Sequence, residues 1–347
     1  MGHHAYCALA LALCGGVLLA PAAKAQPVEA FYKGNNVTLL IGSDAGGGYD
    51  VYSRVLARHM GRHIPGNPHI VAKNMPGAGS LKATSYLYNV APKDGSVFAA
   101  VFNTIPLQPL VREGELKFDV KKLSWLGSIG KHQNICATWA QGPIKSFEQA
   151  KTEQVVVAAT GAAGNAAVYP KIFNEVLGTR FKIVTGYKST GARLAVIRGE
   201  AHGICGMSYQ TLLSASPEWI LDRKVNILAQ IGLHPHPALK GVPMALDMMK
   251  TEADRNMLTF LMIPQEMGRP YVAPPTTQGD RLAALRAAFM ATMADPAFIA
   301  DSDKVRMKIE AIDHAEMNAL IDRLYAMPEE TVARARRLLQ QKKKAKK

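Results

Sequence analysis

The stretch VTLLIGSDAGGGYD, Val37 to Asp50, decides the fold. Val37 to Ile41 is an unbroken aliphatic and β-branched run that reads as a strand, and it stops at Gly42. Gly46, Gly47 and Gly48 follow, and then Val51, Val55 and Leu56 recur at helical spacing. The order is strand, glycine-rich loop, helix. Glycine lets backbone N–H groups turn toward a ligand with no Cβ in the way. The helix start adds free donors and a partial positive charge, so the ensemble suits an anion. Asp50 is expected as the helix N-cap. A tight turn without a ligand is the plainer reading of the same glycines.

The design recurs along the chain. His69 to Lys73 reads as a second strand, Asn74 to Gly79 as a second loop, and Ser80 as a helix N-cap or ligand donor. Val97 to Phe102 is a third strand, stopped by Asn103, Thr104 and Pro106. Further on, Val155 to Ala159 leads through the loop Thr160 to Asn165 (TGAAGN) into a helix, and Phe181 to Thr185 leads through Gly186 to Gly191 into another. Ile204 to Met207 and Val225 to Ile231 are two more strands, and helices are expected near Asp280 to Ala294, His314 to Tyr325 and Pro328 to Gln341. Strands alternating with helices predict open, mainly parallel sheets. Two such blocks in succession predict two α/β domains whose strand-end loops face one cleft. The chain is expected to cross near Trp125 to Ile129 and to return near Ile227 to Ile231. Residues 26–128 and 232–347 then form domain I and residues 129–231 domain II. Two crossovers make a hinge.

Composition narrows the function. Ala8 to Ala20 is an apolar run of signal-peptide length, broken at Pro21, and Ala23-Lys24-Ala25 reads as a cleavage site. Residues 1–25 are therefore expected to be removed near Ala25, with the mature chain in the periplasm. The net charge is +14, much of it in Lys342, Lys343, Lys344, Lys346 and Lys347, a tail that suits a solvated chain end. Export and the lack of aromatic residues beside the basic run argue against nucleic acid. Of the mature cysteines, Cys136 and Cys205 either form a disulfide, which an oxidising compartment permits, or stay as two buried thiols. No cluster has zinc-ligand spacing, so no metal and no cofactor is expected.

Enzyme and nucleotide motifs are missing. Neither early loop spells GxGxxG, and GxxxxGK[ST] is absent. Gly206-Met207-Ser208 only approaches a nucleophile elbow, so Ser208 suits a cleft hydroxyl or a cap better than a nucleophile. His234 and His236 flank Pro235 in a loop-like HPHP run.

Val37 to Met60, Val71 to Ser80 and Tyr86 to Ala99 resemble the Bug-type solute receptors of tripartite tricarboxylate transporters. The family's glycine loop and Asp-x-x-x-Arg helix start are matched by Gly46 to Gly48, Asp50 and Arg54. Its Asn-x-Pro-Gly-Ala-Gly is matched by Asn74 and Pro76 to Gly79, and its APxDG turn by Ala91, Pro92, Asp94 and Gly95. Looser matches are Ala159 to Asn165, Tyr187 to Ser189, Gly241 to Pro243 and Ala273 to Pro275. The resemblance implies a type II periplasmic-binding-protein fold, two α/β domains around a ligand cleft with two crossover strands. It implies a monomer, with no catalysis, that carries a small organic carboxylate to transporter membrane subunits. The contacts it implies are Gly46, Gly47, Gly48, Ala78, Gly79, Ser80, Asn103, Thr104, Thr160, Gly161, Gly164, Asn165, Tyr187, Lys188, Ser189, Thr190 and Ser208. Three positions depart from the pattern. Asp44 stands where the family has an uncharged residue, Asn165 replaces a Ser, and Gly206 replaces an Asp. A carboxylate at Asp44 is expected to repel a second anionic group of the ligand or to attract an amine or hydroxyl. A ligand-sensing subunit for a signalling partner and an exported hydrolase are the competing readings of this cleft.

Overall fold

A computed structural model describes residue 1 and residues 27–340, save 113 and 163. Most of the expected export segment and the lysine tail lie outside the described residues. Two sheets carry the chain. The first contains β1 (Asn36–Ile41), β2 (His69–Asn74), β3 (Val97–Ala100), β4 (Ser124–Ser128), β10 (Pro270–Ala273) and β11 (Ile312–Asp313). The second contains β5 (Asn134–Trp139), β6 (Val155–Ala158), β7 (Phe181–Val184), β8 (Gly203–Ser208) and β9 (Val225–Ile231).

Strand order explains where a ligand can sit. The first sheet runs β11-β4-β10-β3-β1-β2 and the second β7-β6-β8-β5-β9. β1 lies between β2 and β3, parallel to both, and β6 lies between β7 and β8 in the same way. The chain therefore leaves β1 and β6 in opposite directions along each sheet, and a crevice opens at the carboxyl ends of the strands. The chain passes from the first sheet to the second between β4 and β5, and returns between β9 and β10.

The apolar runs do what their composition requires. In β1, Val37, Leu39, Leu40 and Ile41 are all buried, because helices cover both faces of the sheet. The helix Gly48–Met60 buries Tyr52, Val55, Leu56 and Met60. At roughly 1.5–3 kcal/mol for each large side chain, this face fixes the helix, and with it the glycine loop that precedes it. In the second sheet, Cys136 and Cys205 are opposite each other on β5 and β8, fully buried and joined as a disulfide. The C-terminal helix Glu329–Gln340 packs on Glu252–Met262, whose flanking strand β10 is in the first sheet, and on Asn165–Leu177, which follows β6 of the second.

Two local expectations are corrected. Asp50 is not the N-cap; Gly47 holds that position and Asp50 is the third helical residue. From there its Oδ2 accepts the Gly46 N–H at 2.9 Å, while its Oδ1 accepts from Arg54 Nε at 2.8 Å and Asn74 Nδ2 at 2.9 Å. A carboxylate at the third position reaches back to an orphan donor as well as a cap would. Ser80 does stand at the N-cap position before Leu81, but with φ +71° and a hydroxyl that makes no capping bond. Ser80 Oγ donates to the Gly42 carbonyl at 2.9 Å and accepts the Phe102 N–H at 3.1 Å. It ties three strand ends together instead of facing a ligand.

Candidate functional site

The strand-end loops of the two sheets line a partly open cavity of about 130 Å³. Gly48 and Tyr49 come from the loop after β1 and the helix it starts, and Phe102, Asn103 and Thr104 from the end of β3. His132 lies on the first crossover and Asn134 at the start of β5. The second sheet contributes Thr160, Gly164 and Asn165 after β6, Met207 and Ser208 at the end of β8, and Ser189, Ala192 and Arg193 from the helix Ser189–Ile197. A larger groove of about 1360 Å³ lies alongside and shares Thr104 and Asn165 with the cavity.

Eight of the residues expected from the sequence line this cavity: Gly48, Asn103, Thr104, Thr160, Gly164, Asn165, Ser189 and Ser208. Asp44, Gly46, Gly47, Ala78, Gly79, Ser80, Gly161, Tyr187, Lys188 and Thr190 do not. The glycines outside it have another use. A Cβ on Gly46 would stand 2.9 Å from Thr190 Cγ2, and one on Gly47 would stand 2.8 Å from Ser189 Oγ. A Cβ on Gly48 would press on Thr211, and one on Gly161 would stand 3.1 Å from the Gly79 N. The missing side chains let loops of the first sheet touch those of the second.

Polar bridges cross the cleft at the same place. The Asp44 carboxylate accepts the Ser189 N–H at the start of the helix Ser189–Ile197. Arg193 Nη2 donates to the Gly46 carbonyl at 3.1 Å, and Arg269 Nη2 donates to Thr211 Oγ1 at 2.9 Å. Asp44 is thus a link between the two halves and not a wall of the cavity. Its carboxylate occupies a helix N-terminus that would otherwise attract an anion.

Arg193 is the residue that sequence reading missed and the site most needs. It is buried, and burial holds its guanidinium below the usual arginine range. No ion pair joins it to a carboxylate among the described residues; Glu218 and Asp44 act on it only from a distance. A signal for it exists in the sequence. Ser189, Ala192, Arg193 and Val196 fall at helical spacing, so Arg193 shares the inward stripe with Ala192 and Val196, both buried.

Aromatic rings form the rest of the wall. Tyr49 stacks on Phe102 with centroids 4.8 Å apart and meets His132 edge-on at 5.8 Å. The Tyr49 hydroxyl accepts the Asn103 N–H at 2.9 Å and donates to the Gly268 carbonyl at 3.0 Å. Burial, partly offset by Arg269, raises its pKa. Among the described residues, buried His132 has no hydrogen-bond partner on either ring nitrogen, and Thr104 Oγ1 has none. Burial first, and Arg269 second, hold the His132 imidazole well below its usual range, so it is neutral. Arg269 itself lies behind this wall, with its guanidinium 3.7 Å from the centre of the Tyr52 ring. Ser208 Oγ is committed as a helix cap: it accepts the Thr211 N–H at 3.3 Å and donates to Gln210 Oε1 at 3.2 Å. Among the described residues no group of His, Cys, Asp or Glu is arranged to hold a metal ion.

Two curated proteins and two solved structures can be set beside this geometry. No family model matches the chain. A UPF0065 protein of the gbd 5′ region of Cupriavidus necator is 31% identical over 114 residues, 33% of either chain. A UPF0065 protein of Bordetella bronchiseptica is 24% identical over 196 residues, 54% of this chain and 56% of that one. The aligned regions thus cover a third to about half of these curated relatives. The periplasmic binding protein BugD superposes with a TM-score of 0.69 at 16% identity, over 88% of this chain and 98% of the other. This chain has the fold of the Bug-type periplasmic binding proteins. MatC of Rhodopseudomonas palustris, solved with bound malate, matches over 88% of this chain and 99% of its own, with a TM-score of 0.66 at 17% identity. The likeness read from the glycine-loop motifs and the likeness in three dimensions therefore meet on the same Bug-type proteins.

Proposed function

We propose that this chain is a periplasmic solute-binding protein that captures a small organic carboxylate and delivers it to a tripartite tricarboxylate transporter. The observation that carries the reading is Arg193, a buried guanidinium in the cavity wall with no carboxylate to balance it. An unpaired buried cation is costly, and an anionic solute relieves that cost. The Bug-type fold and the malate held by MatC support the same chemistry. In this reading residues 26–128 with 232–347 and residues 129–231 are the two lobes. The mature chain is a monomer, exported after cleavage near Ala25, and the membrane subunits of the transporter are its partners. The site binds and does not catalyse, since the Ser208 hydroxyl is spent on capping.

A thermal-shift screen of mono- and dicarboxylic acids tests this, because a ligand bound only to the folded state raises its melting temperature. At least one acid is expected to do so. Arg193→Gln should weaken that acid by ~100-fold, since it removes the buried counter-charge. A panel in which no acid shifts the transition would overturn the proposal.

A further inference from the structure

We infer that Gln265 is a positioning residue for solute binding. It stands behind the cavity, outside its wall, and couples the start of β5, where the first crossover ends, to the helix Asn165–Leu177. The inference rests on the binding role proposed above and names the part that holds the site in shape. Gln265 is 1% exposed and belongs to the short 3₁₀ turn Ile263–Met267, which leads into β10.

This turn and the glycine after it hold four wall residues from behind. The Pro264 carbonyl accepts from Asn103 Nδ2 at 2.9 Å, the Gln265 carbonyl accepts the His132 N–H at 2.8 Å, and the Gly268 carbonyl accepts from the Tyr49 hydroxyl at 3.0 Å. The fourth is Asn134, whose N–H donates to Gln265 Oε1 at 3.1 Å. All four line the cavity, yet they come from three separate segments of the chain. The backbone there also lies hard against the crossover: a Cβ on Gly268 would stand 1.4 Å from the Gly130 carbonyl oxygen.

The Gln265 side chain does what the carbonyls do not, and reaches a helix of the second sheet. A backbone N–H can only donate, so the bond from Asn134 fixes which end of the Gln265 amide is the oxygen. The amide nitrogen donates to Tyr169 Oη at 2.8 Å, and the Tyr169 hydroxyl donates onward to the Leu261 carbonyl at 3.2 Å. Burial raises the Tyr169 pKa, so the phenol keeps the proton it donates. Tyr169 lies about one turn into its helix, and Gly164, Asn165 and Ala166 at the start of that helix line the cavity. Each donor in this buried chain meets an acceptor, and such chains act as units. Gln265 thereby ties the helix that brings Asn165 to the cavity to the strand that brings Asn134 to it.

Hydrogen exchange of the full chain, followed by mass spectrometry, tests the link without any solute. Tyr169→Phe weakens the hold on the amide nitrogen, and Gln265→Met removes both side-chain bonds at similar volume. Each should speed exchange in residues 132–136 by ~10-fold or more, because the Asn134 N–H loses a firmly held acceptor, while β1 changes little. The double variant should exchange there no faster than Gln265→Met alone. Titration with malate, adipate and benzoate then reads the site. Any of the three that wild type binds should bind both variants ~10-fold or more weakly. Thr292→Val, which removes a buried hydrogen bond in a helix outside the wall, should leave that Kd unchanged. A Tyr169→Phe protein whose residues 132–136 exchange no faster than wild type would overturn the inference, and so would unchanged Kd values in both variants. Silence from all three acids in the wild type would weigh on the carboxylate reading only; exchange alone then upholds or overturns the coupling.

Discussion

Replacing Asp44 with asparagine keeps the shape and the acceptor oxygen of the side chain but removes its charge. The bridge to the Ser189 N–H then becomes a neutral hydrogen bond at a helix start. A charge-assisted bond is about twice as strong as a neutral one, and a neutral bond contributes about 1 kcal/mol. A carboxylate at a helix N-terminus adds a few tenths of a kcal/mol. Asp44 is partly exposed, so screening trims the sum, and a loss of about 1 kcal/mol is expected. That lowers the ratio of closed to open forms by about fivefold. If the free protein is mostly open, the apparent Kd rises by the full factor; if mostly closed, by less. The assay is calorimetric titration of wild type and Asp44→Asn with an acid that raises the melting temperature, paired with small-angle scattering of the free and liganded proteins. If scattering shows the free wild type more expanded than its liganded form, Kd values within about twofold of each other would refute the bridging role.

Other outcomes follow from the same geometry. Gly48→Ala places a methyl against Thr211 and should weaken solute binding by ~10-fold or more while the melting temperature of the free protein changes little, which titration and calorimetry can check. The Cys136–Cys205 disulfide closes a loop with a sequence separation of 69, so replacing both cysteines with alanine should cost about 2–4 kcal/mol in denaturant unfolding. Asp301 accepts from His59 and Arg58 and is held at about 2, below the ordinary carboxylate range. Its folded value is depressed, so its stabilisation is present above about 4 and is lost as pH falls through about 2. Asp301→Asn should therefore lower the melting temperature at neutral pH, and the gap from wild type should shrink at pH 2.

The parts of the fold that were legible in the sequence are those where an apolar run meets a glycine loop. β1, β2, β6 and β7 all announce themselves in that way, and β3 by an apolar run that Asn103, Thr104 and Pro106 stop. β5 and β10 do not. Asn134–Trp139 is buried on nearly every residue, so it shows no alternation, and it follows His132 and Gln133 with no turn residue between. Pro270–Ala273 is too short to carry a period. Both strands run antiparallel to their neighbours in mixed sheets, placed by pairing with strands distant in sequence. At the site, the loops could be read but not their orientation. Gly46 and Gly47 are glycines because Thr190 and Ser189 of the other sheet lie against them, a contact between segments more than 140 residues apart. Asp44 looked like a selector of the ligand because only its charge was visible; the backbone group it meets was not.

The buried disulfide has a mechanical meaning. Cys136 and Cys205 fasten β5 to β8, while β5 also pairs along its length with β9. Those three strands include both ends of the segment through which the chain enters and leaves the second sheet. The covalent link fixes the register of β5 on β8. In a receptor that closes as proposed, the tied strands β5 and β8 would move together. The bending of such a closure would then fall to the linking residues, 129–133 on one strap and those just after Ile231 on the other.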